Sequence, residues 1–428
     1  MTTSQLTHWI EINKKRLDPS LIKVLKRYLY LFQYAYTMTN TLSFSRYKIP
    51  VLIQWEKKNQ PFSRWEHILY SLGIKYYDLF DHIRTCSLSL TVDQMIQLLS
   101  FRSVQKIYLD RRAQTCLHIA TPTIQAPQVW QQQNQGEGVT IAILDTGIAP
   151  HSDLGSRLIA FQDFINGKEE PYDDNGHGTH CAGTAAGNGT LSQGKYCGVA
   201  PKAKLVGIKV LGKYGESNIS DIIKGIYWCI LNKKRYNIRV ISLSLGSISE
   251  ISYREDPLCL MAELAWQAGI VVVAAAGNAG PNLQTIMSPG NHPRIITVGA
   301  SDDQRTIYPH DDQIASFSSR GPTLDGYNKP ELFAPGTRIV SLRNPGSYLD
   351  LTMQENCVDE NYFFLSGTSM ATPITAGAVA LILTKHPKLT PDQVKTLLLK
   401  SAFRLRQKST AKPFLQINAW RAINAISK

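Results

Sequence analysis

Apolar residues change their spacing along the chain, and the changes divide it into three parts. In residues 1–43 they recur every three or four positions, which predicts a helical extension. The apolar positions of that extension are Leu21, Val24, Leu25, Tyr28, Leu29 and Phe32. Residues 44–116 alternate strand-like runs with two helical segments in the order βαββαβ, the order of a small ferredoxin-like α+β domain. The predicted elements are strands Ile49–Trp55, Ile74–Phe80, Ile83–Leu90 and Val104–Leu109, and helices Ser63–Leu72 and Thr91–Leu99.

Residues 117–428 are predicted to form a second, larger domain of the α/β class. The stretch from Arg111 to Pro127 has two prolines and little periodicity, which is typical of a linker. From Val139 onward, near-continuous apolar runs alternate with helical stretches, the pattern of a parallel sheet with helices on both faces. The runs are Val139–Leu144, Leu205–Val210, Val240–Leu245, Ile270–Ala275 and Ile295–Val298, with helical stretches at Asp221–Leu231 and Leu258–Ala268.

The net charge of +13 is concentrated in the N-terminal part of the chain. Residues 1–126 contain 17 Lys and Arg against 8 Asp and Glu, whereas the remainder contains 29 against 25. A basic segment can contact nucleic acid or acidic lipid, form a solvated face, or complement an acidic surface of its own partner domain. No nucleic-acid-binding motif accompanies the charge, so nucleic acid is not expected as a partner. No uninterrupted apolar run reaches about 18 residues, so no transmembrane segment is expected.

The cysteines and the N-terminal residues bear on the compartment. The seven cysteines are widely spaced and form no CxxC pair, which argues against a disulfide framework and a zinc ribbon and favours a reducing compartment. The first 25 residues are polar and of mixed charge, without the pattern of a signal peptide. We therefore expect a cytoplasmic protein, with secretion by another route left open.

Three short glycine-flanked motifs carry an acid, an imidazole and a hydroxyl. Asp145-Thr-Gly directly follows a predicted strand. His177 lies in Asn-Gly-His-Gly-Thr-His, and Ser369 lies in Gly-Thr-Ser-Met-Ala-Thr-Pro at the start of a helix. Each residue alone is commonplace, as a turn residue, a surface histidine or a helix cap. In acyl transfer, however, a histidine takes the proton of a serine hydroxyl while an aspartate orients the imidazole, and the chain order Asp…His…Ser is one that such enzymes use.

These motifs, with others in the same order, resemble the subtilase family of subtilisin-like serine proteases. The resemblance covers roughly Ala126 to Leu398 and extends to Ala-Ala-Ala-Gly-Asn278 and Ser-Leu-Ser-Leu-Gly246. It implies the α/β fold of subtilisin, a catalytic triad of Asp145, His177 and Ser369, and an oxyanion-stabilising Asn278. The substrate-binding residues that it implies are Gly215, Ser217, Ser244, Leu245, Gly246, Ala275, Gly277 and Met287. Because it shows no signal-peptide pattern and the motifs span this length, the sequence most resembles the intracellular alkaline proteases of bacilli.

The resemblance also implies a serine endopeptidase that is made as a self-processed zymogen. Residues 44–116 are expected to be its propeptide and inhibitor, a partner in the same chain. Scission is expected between Ala113 and Leu117, with Cys116 or Leu117 as the residue before the cut. Two alternatives remain open, an esterase-type hydrolase on the same fold and an inactive binding homologue.

The resemblance gives less guidance on metals and on residues around the triad. Catalysis in the family needs no cofactor, and calcium is its usual structural ion. The loop Gly187–Cys197 lacks carboxylates, so no calcium ligand is assigned. His180 and Cys181 are expected to be structural, and Asp173-Asp174 to cap the turn before the catalytic histidine. The long stretch Ser341–Phe364 is expected to be an added surface loop near the cleft, and Ser288-Pro289 to be a cis-proline turn at the base of the S1 pocket.

Overall fold

The computed structural model of the chain forms two compact units, Met1–Ala113 and Gln114–Lys428. The structure describes residues 3–19, 21–26, 29, 48–55, 63–74, 77–80, 84–109, 117–406 and 413–425. Tyr28 and Phe32 of the predicted extension lie outside the described residues, as do residues 113–116 of the expected scission stretch.

The first unit is an antiparallel sheet with helices. Its elements are α1 (Thr3–Ile12), β1 (Ile49–Trp55), α2 (Ser63–Ser71), β2 (Asp78–Phe80), β3 (Thr85–Leu90), α3 (Val92–Ser100) and β4 (Val104–Leu109), and residues 21–26 are also helical. The strand order β2-β3-β1-β4 is that of a split βαβ unit. Of the predicted strand Ile74–Phe80, Asp78–Phe80 forms β2, and residues 75–76 lie outside the described residues. Ile74 belongs instead to the end of α2, which turns through Gly73, whose φ is +70°, and the Ile74 N–H donates to the Leu69 carbonyl at 3.0 Å.

The second unit contains a parallel sheet with helices on both faces, as predicted. Its strands are β5 (Thr140–Asp145), β6 (Leu158–Asp163), β7 (Lys204–Lys209), β8 (Ile238–Leu243), β9 (Val271–Ala275), β10 (Ile296–Asp302), β11 (Gln313–Ile314), β12 (Leu332–Pro335), β13 (Ile339–Leu342), β14 (Tyr362–Leu365), β15 (Phe403–Leu405) and β16 (Phe414–Gln416). Its helices are α4 (Leu117–Thr123), α5 (Ala126–Trp130), α6 (His177–Ala186), α7 (Ile219–Tyr236), α8 (Pro257–Gln267), α9 (Tyr348–Thr352), α10 (Thr368–Lys385), α11 (Pro391–Ser401) and α12 (Ala419–Asn424). No helix in the described part of the chain is long and apolar enough to cross a membrane.

The strand order of the main sheet indicates that a ligand site lies at the carboxyl end of β5. The order is β15-β16-β12-β10-β9-β8-β5-β7-β6, with neighbours from β16 to β6 parallel. The chain first extends the sheet to one side of β5 and then, from β8 onward, to the other. In open parallel sheets, ligand sites lie at the carboxyl ends of the strands where the order reverses. Asp145, the last residue of β5, lies at this point.

The prediction that Arg111–Pro127 is a linker is wrong for its second half. Residues from Leu117 onward form α4 and α5. The side chains of Ala120, Ile124 and Val129 are fully buried in the core of the second unit. Burial of these apolar side chains outweighs the prolines, and Pro127 lies in the first turn of α5, where its missing N–H breaks no helical hydrogen bond.

The segment of residues 341–364, called the insert below, is an ordered arm and not the simple surface loop that was expected. Its two ends pair as the antiparallel strands β13 and β14, and α9 lies between them. Tyr362 is only 1% exposed, and its hydroxyl donates to the Asp153 carboxylate at 2.5 Å. The length of the segment indicated a loop, but these buried contacts hold it in place.

Candidate active site

Asp145 and His177 are joined by a hydrogen bond at the carboxyl end of β5. Asp145 is fully buried, and His177 is the first residue of α6. The Nδ1 atom of His177 lies 2.7 Å from Asp145 Oδ1, which also accepts the Thr146 N–H at 2.7 Å. Burial by itself lowers the pKa of the His177 imidazole, but the Asp145 carboxylate outweighs it and raises that pKa well above its ordinary value. The carboxylate therefore fixes the tautomer of the imidazole and favours its protonated form.

The turn before His177 is organised by a buried carboxylate. Asp173 Oδ1 accepts the N–H groups of Asn175 at 3.2 Å and Gly176 at 2.9 Å, and the hydroxyl of Thr146 at 2.8 Å. Asp173 therefore caps the turn as expected and links it to the end of β5. Asp174 does not take part in this cap.

Ser369 is the second residue of α10 and lines the same cavity as His177. Its hydroxyl donates to the Ser244 carbonyl at 3.1 Å and not to the imidazole, while the Ser244 hydroxyl donates to the Ser369 carbonyl at 2.8 Å. Catalytic hydrogen bonds are often long or misaligned without substrate. The Ser369 hydroxyl therefore has to turn from the Ser244 carbonyl toward His177 before the imidazole can take its proton.

Asn278 lines the same cavity with its oxygen already engaged. Asn278 Oδ1 accepts the N–H of Thr368 at 2.9 Å and its hydroxyl at 3.0 Å. The anchored oxygen leaves the amide nitrogen, Nδ2, as the group that can donate to a ligand. A fixed donor of this kind beside a nucleophile can stabilise negative charge on a carbonyl oxygen.

The predicted substrate-binding residues share one cavity with His177, Ser369 and Asn278. All of Gly215, Ser217, Ser244, Leu245, Gly246, Ala275, Gly277 and Met287 line this cavity of about 520 Å³. Residues of Ser244–Gly246 and Ala275–Gly277 line this cavity, and the two segments are called the walls of the slot below. Met287 lies between Gly246 and Gly277, and a Cβ on Gly246 would lie 3.0 Å from Met287 Cβ. At Gly277, where φ is +105°, a Cβ would lie 2.6 Å from Met287 Cγ, so only glycine fits.

Met287 is held at this position by the backbone. Its N–H donates to the Ala276 carbonyl at 3.0 Å, and Ser247 and Ser288 exchange two hydrogen bonds of 2.9 Å beside it. The Ser288–Pro289 peptide is cis, as expected.

Comparison with known proteins agrees with this geometry. The model of the subtilase family matches residues 136–418. The chain belongs to the subtilase family. It is 50% identical over 332 residues to Serine protease AprX of Bacillus subtilis (strain 168), which covers 74% of each chain. It is 37% identical over 287 residues to Subtilisin DY of Bacillus licheniformis, covering 66% of this chain and 90% of that protein.

Solved structures show the same relationship. A cold adapted subtilisin-like serine proteinase aligns with a TM-score of 0.53 at 30% identity and covers 73% of this chain and 93% of its own. Sphericase aligns with a TM-score of 0.54 at 30% identity and covers 66% of this chain and 92% of its own. This subtilase is therefore a subtilisin-like serine protease with the α/β fold that the sequence predicted.

Two side chains of the subtilase lie behind the triad. His180 donates from Nε2 to the Ile339 carbonyl at 3.0 Å, and burial lowers its pKa to about 3. Cys181 is fully buried with Sγ 3.8 Å from His177 Nδ1, and burial raises the pKa of its thiol. Both occupy the structural positions that were expected.

Lys209 is a residue of the subtilase site that the sequence analysis missed. It is fully buried at the end of β7, opposite the last residue of β5. Its Nζ donates to the carbonyls of Thr146 at 2.6 Å and Leu211 at 2.9 Å, and to Asp174 Oδ1 at 2.7 Å. It thereby joins three segments around the triad. The available signal was a lysine inside the apolar run Leu205–Val210.

The loop where calcium was considered does not fit that ion. Asp153 is the carboxylate that contacts the loop Gly187–Cys197. Its Oδ1 accepts the Leu191 N–H at 2.9 Å, and its Oδ2 accepts the Tyr362 hydroxyl. Calcium needs six to eight oxygen ligands. Here both oxygens of the Asp153 carboxylate accept hydrogen bonds from neutral donors, and the loop itself contains no Asp or Glu.

Proposed function

We propose that this subtilase is a serine endopeptidase that cleaves peptide bonds through an acyl-enzyme. The observation that carries the proposal is the 2.7 Å contact of His177 with Asp145 beside a cavity that also contains Ser369 and Asn278. His177 takes the hydroxyl proton of Ser369 while Oγ attacks the carbonyl carbon, and Asp145 stabilises the imidazolium that forms. His177 then protonates the leaving amine, and water repeats the sequence to release the acyl group.

Asn278 and the start of α10 are proposed to stabilise the negative charge that develops on the substrate oxygen in the tetrahedral intermediate. Because Asn278 is anchored through Oδ1, its Nδ2 donates without reorganising when the charge develops. The N-terminus of α10 adds a positive field at Ser369. This chemistry needs no cofactor.

The substrate is proposed to bind as an extended strand. Its backbone pairs with Gly215–Ser217 on one side and Ser244–Gly246 on the other, and its P1 side chain enters the slot that ends at Met287. Because the slot is apolar and Met287 occupies part of it, we expect medium-sized apolar P1 residues.

We also propose that residues 44–116 are a propeptide that inhibits the enzyme until it cuts itself free. In support, the chain divides at Ala113, and the core of the second unit begins at Ile119. A cut between Ala113 and Leu117 therefore separates the units without removing core residues. We further propose that the protein is cytoplasmic, because the cysteines of the described residues are free thiols, as in a reducing compartment.

Labelling with a fluorophosphonate probe tests the proposed chemistry. We expect the wild type to be labelled and the Ser369→Ala variant to remain unlabelled, with casein cleaved only by the wild type. Cleavage of esters without cleavage of casein would favour the esterase alternative, and a labelled Ser369→Ala variant would refute the assignment of the nucleophile.

Mass spectrometry of the same two proteins tests processing. The wild type is expected to give a fragment that begins between Gln114 and His118, whereas Ser369→Ala remains a single chain. A variant that is cut at the same place would show that another protease does the processing.

A further inference from the structure

The insert brings an aromatic side chain into the substrate cavity. Tyr348 and Leu349, at the start of α9, line the same cavity as His177. Their N–H groups donate to the carbonyls of Asp174 and Asn175, at 2.9 Å each. The insert is thus attached to the turn that carries the histidine, so its position relative to the imidazole is fixed.

A second aromatic residue that lines the cavity is in contact with Tyr348. Tyr214 packs edge-to-face on Tyr348, with ring centroids 5.3 Å apart and an interplanar angle of 88°. The segment that carries Tyr214 is itself tied to the histidine turn, because the Asn175 side-chain amide donates to the Lys213 carbonyl at 2.8 Å. The two rings therefore form one aromatic wall of the cavity.

The direction in which each substrate side chain points determines which substrate position contacts the two tyrosine rings. Successive side chains of an extended strand point to opposite faces. When P1 enters the slot of Met287, P2 points away from the slot and toward His177. The apolar Leu211 and Leu349 line the cavity next to His177, because the Leu211 N–H donates to the Asp145 carbonyl at 3.1 Å and the Leu349 N–H to the histidine turn, and Tyr348 adjoins Leu349.

We propose that Tyr348, braced by Tyr214, determines specificity at the P2 position. It makes the P2 subsite a short apolar compartment that accepts small uncharged side chains and rejects long ones. This inference rests on the proposed endopeptidase function, and it assigns to the insert the role of setting substrate choice.

The test compares peptides that share one apolar P1 residue and differ at P2. We expect the wild type to prefer Ala over Leu at P2, and Tyr348→Ala to raise the Leu-to-Ala ratio of kcat/KM by about 10- to 100-fold, chiefly through KM. Tyr348→Phe keeps the ring and is expected to retain the wild-type ratio. Leu351→Ala is the matched control, because Leu351 lies on the same helix, is 60% exposed and does not line the cavity.

An unchanged Leu-to-Ala ratio in Tyr348→Ala, or an equal loss on all peptides, would overturn the proposal. A ratio shifted as much by Leu351→Ala would overturn it too, because the effect would then come from the helix and not from the ring. Failure of the proposed function has a different signature, since the wild type would then cleave none of the peptides, whatever residue stands at P2 and whether or not Ser369 reacts with the fluorophosphonate.

Discussion

Replacing Met287 by glycine should change the P1 preference of the enzyme. Met287 lies between the two walls of the slot, close enough to Gly277 that a Cβ there would be 2.6 Å from its Cγ. Its removal leaves space at the base of the slot for an aromatic ring. At about 0.8 kcal/mol per buried methylene group, deeper burial of a P1 phenyl ring by the equivalent of about 2.5 methylene groups is worth about 2 kcal/mol, or about a 30-fold rise in kcat/KM for Phe or Tyr over Ala.

The assay is steady-state hydrolysis of peptides that differ only at P1. Met287→Leu is the control, because it nearly conserves side-chain volume and should keep the wild-type ranking. The thermal midpoint of both variants shows whether the base of the slot remains folded. An unchanged P1 ranking in a folded Met287→Gly variant would place this side chain outside the P1 site and refute the reasoning.

Three further predictions concern residues around the nucleophile. Asn278→Leu removes the amide donor, so kcat should fall about 10²- to 10³-fold with little change in KM; a raised KM with unchanged kcat would contradict its role. Because Asp145 raises the pKa of His177 and the neutral imidazole is the base, kcat/KM should rise with pH through a pKa above about 6.5. Asp145→Asn should move the rise of kcat/KM to lower pH and should lower kcat about 10⁴-fold. A rise that stays at the same pH would show that Asp145 does not raise the pKa of His177. Lys209→Met leaves its three acceptors unpaired, so urea unfolding in the Ser369→Ala background should show a loss of about 3 kcal/mol; a loss within experimental error would show that the lysine is dispensable.

The sequence predicted well the parts of the fold that depend on local pattern. Strands buried on both faces read as continuous apolar runs, and β5 and β9 are indeed buried at every position. The strand β6, whose side chains are mostly only partly buried, was not predicted, and neither were the strands after β10, whose apolar runs of four residues or fewer are too short to identify a strand. The helices α4 and α5 were missed because two prolines suggested a linker, whereas the tertiary burial of their apolar side chains decides their structure.

The candidate site was predictable where a motif is contiguous and not where contacts cross the fold. The residues around His177 and Ser369 occur in short motifs, so they could be read from the sequence. The ion pair of Lys209 with Asp174 joins positions 35 apart in sequence, and the contact of Tyr214 with Tyr348 joins more distant ones. Such pairs leave no periodic signal. The hydrogen bond of the Ser369 hydroxyl to Ser244 depends on a side-chain rotamer, which a sequence does not specify.

The strands at the two ends of the insert pair with each other, so much of the insert can be exchanged for another segment. Its ends, β13 and β14, form a two-stranded sheet of their own, separate from the ten-stranded sheet in which β5 carries Asp145 at its carboxyl end. The length and sequence between Arg343 and Asn361 can therefore vary without shifting the register of the ten-stranded sheet, provided that the hydrogen bonds of Tyr348 and Leu349 to the histidine turn are kept. Exchange of the rest of this arm offers a protein engineer, and evolution, a way to alter the rim of the cleft without rebuilding the catalytic scaffold.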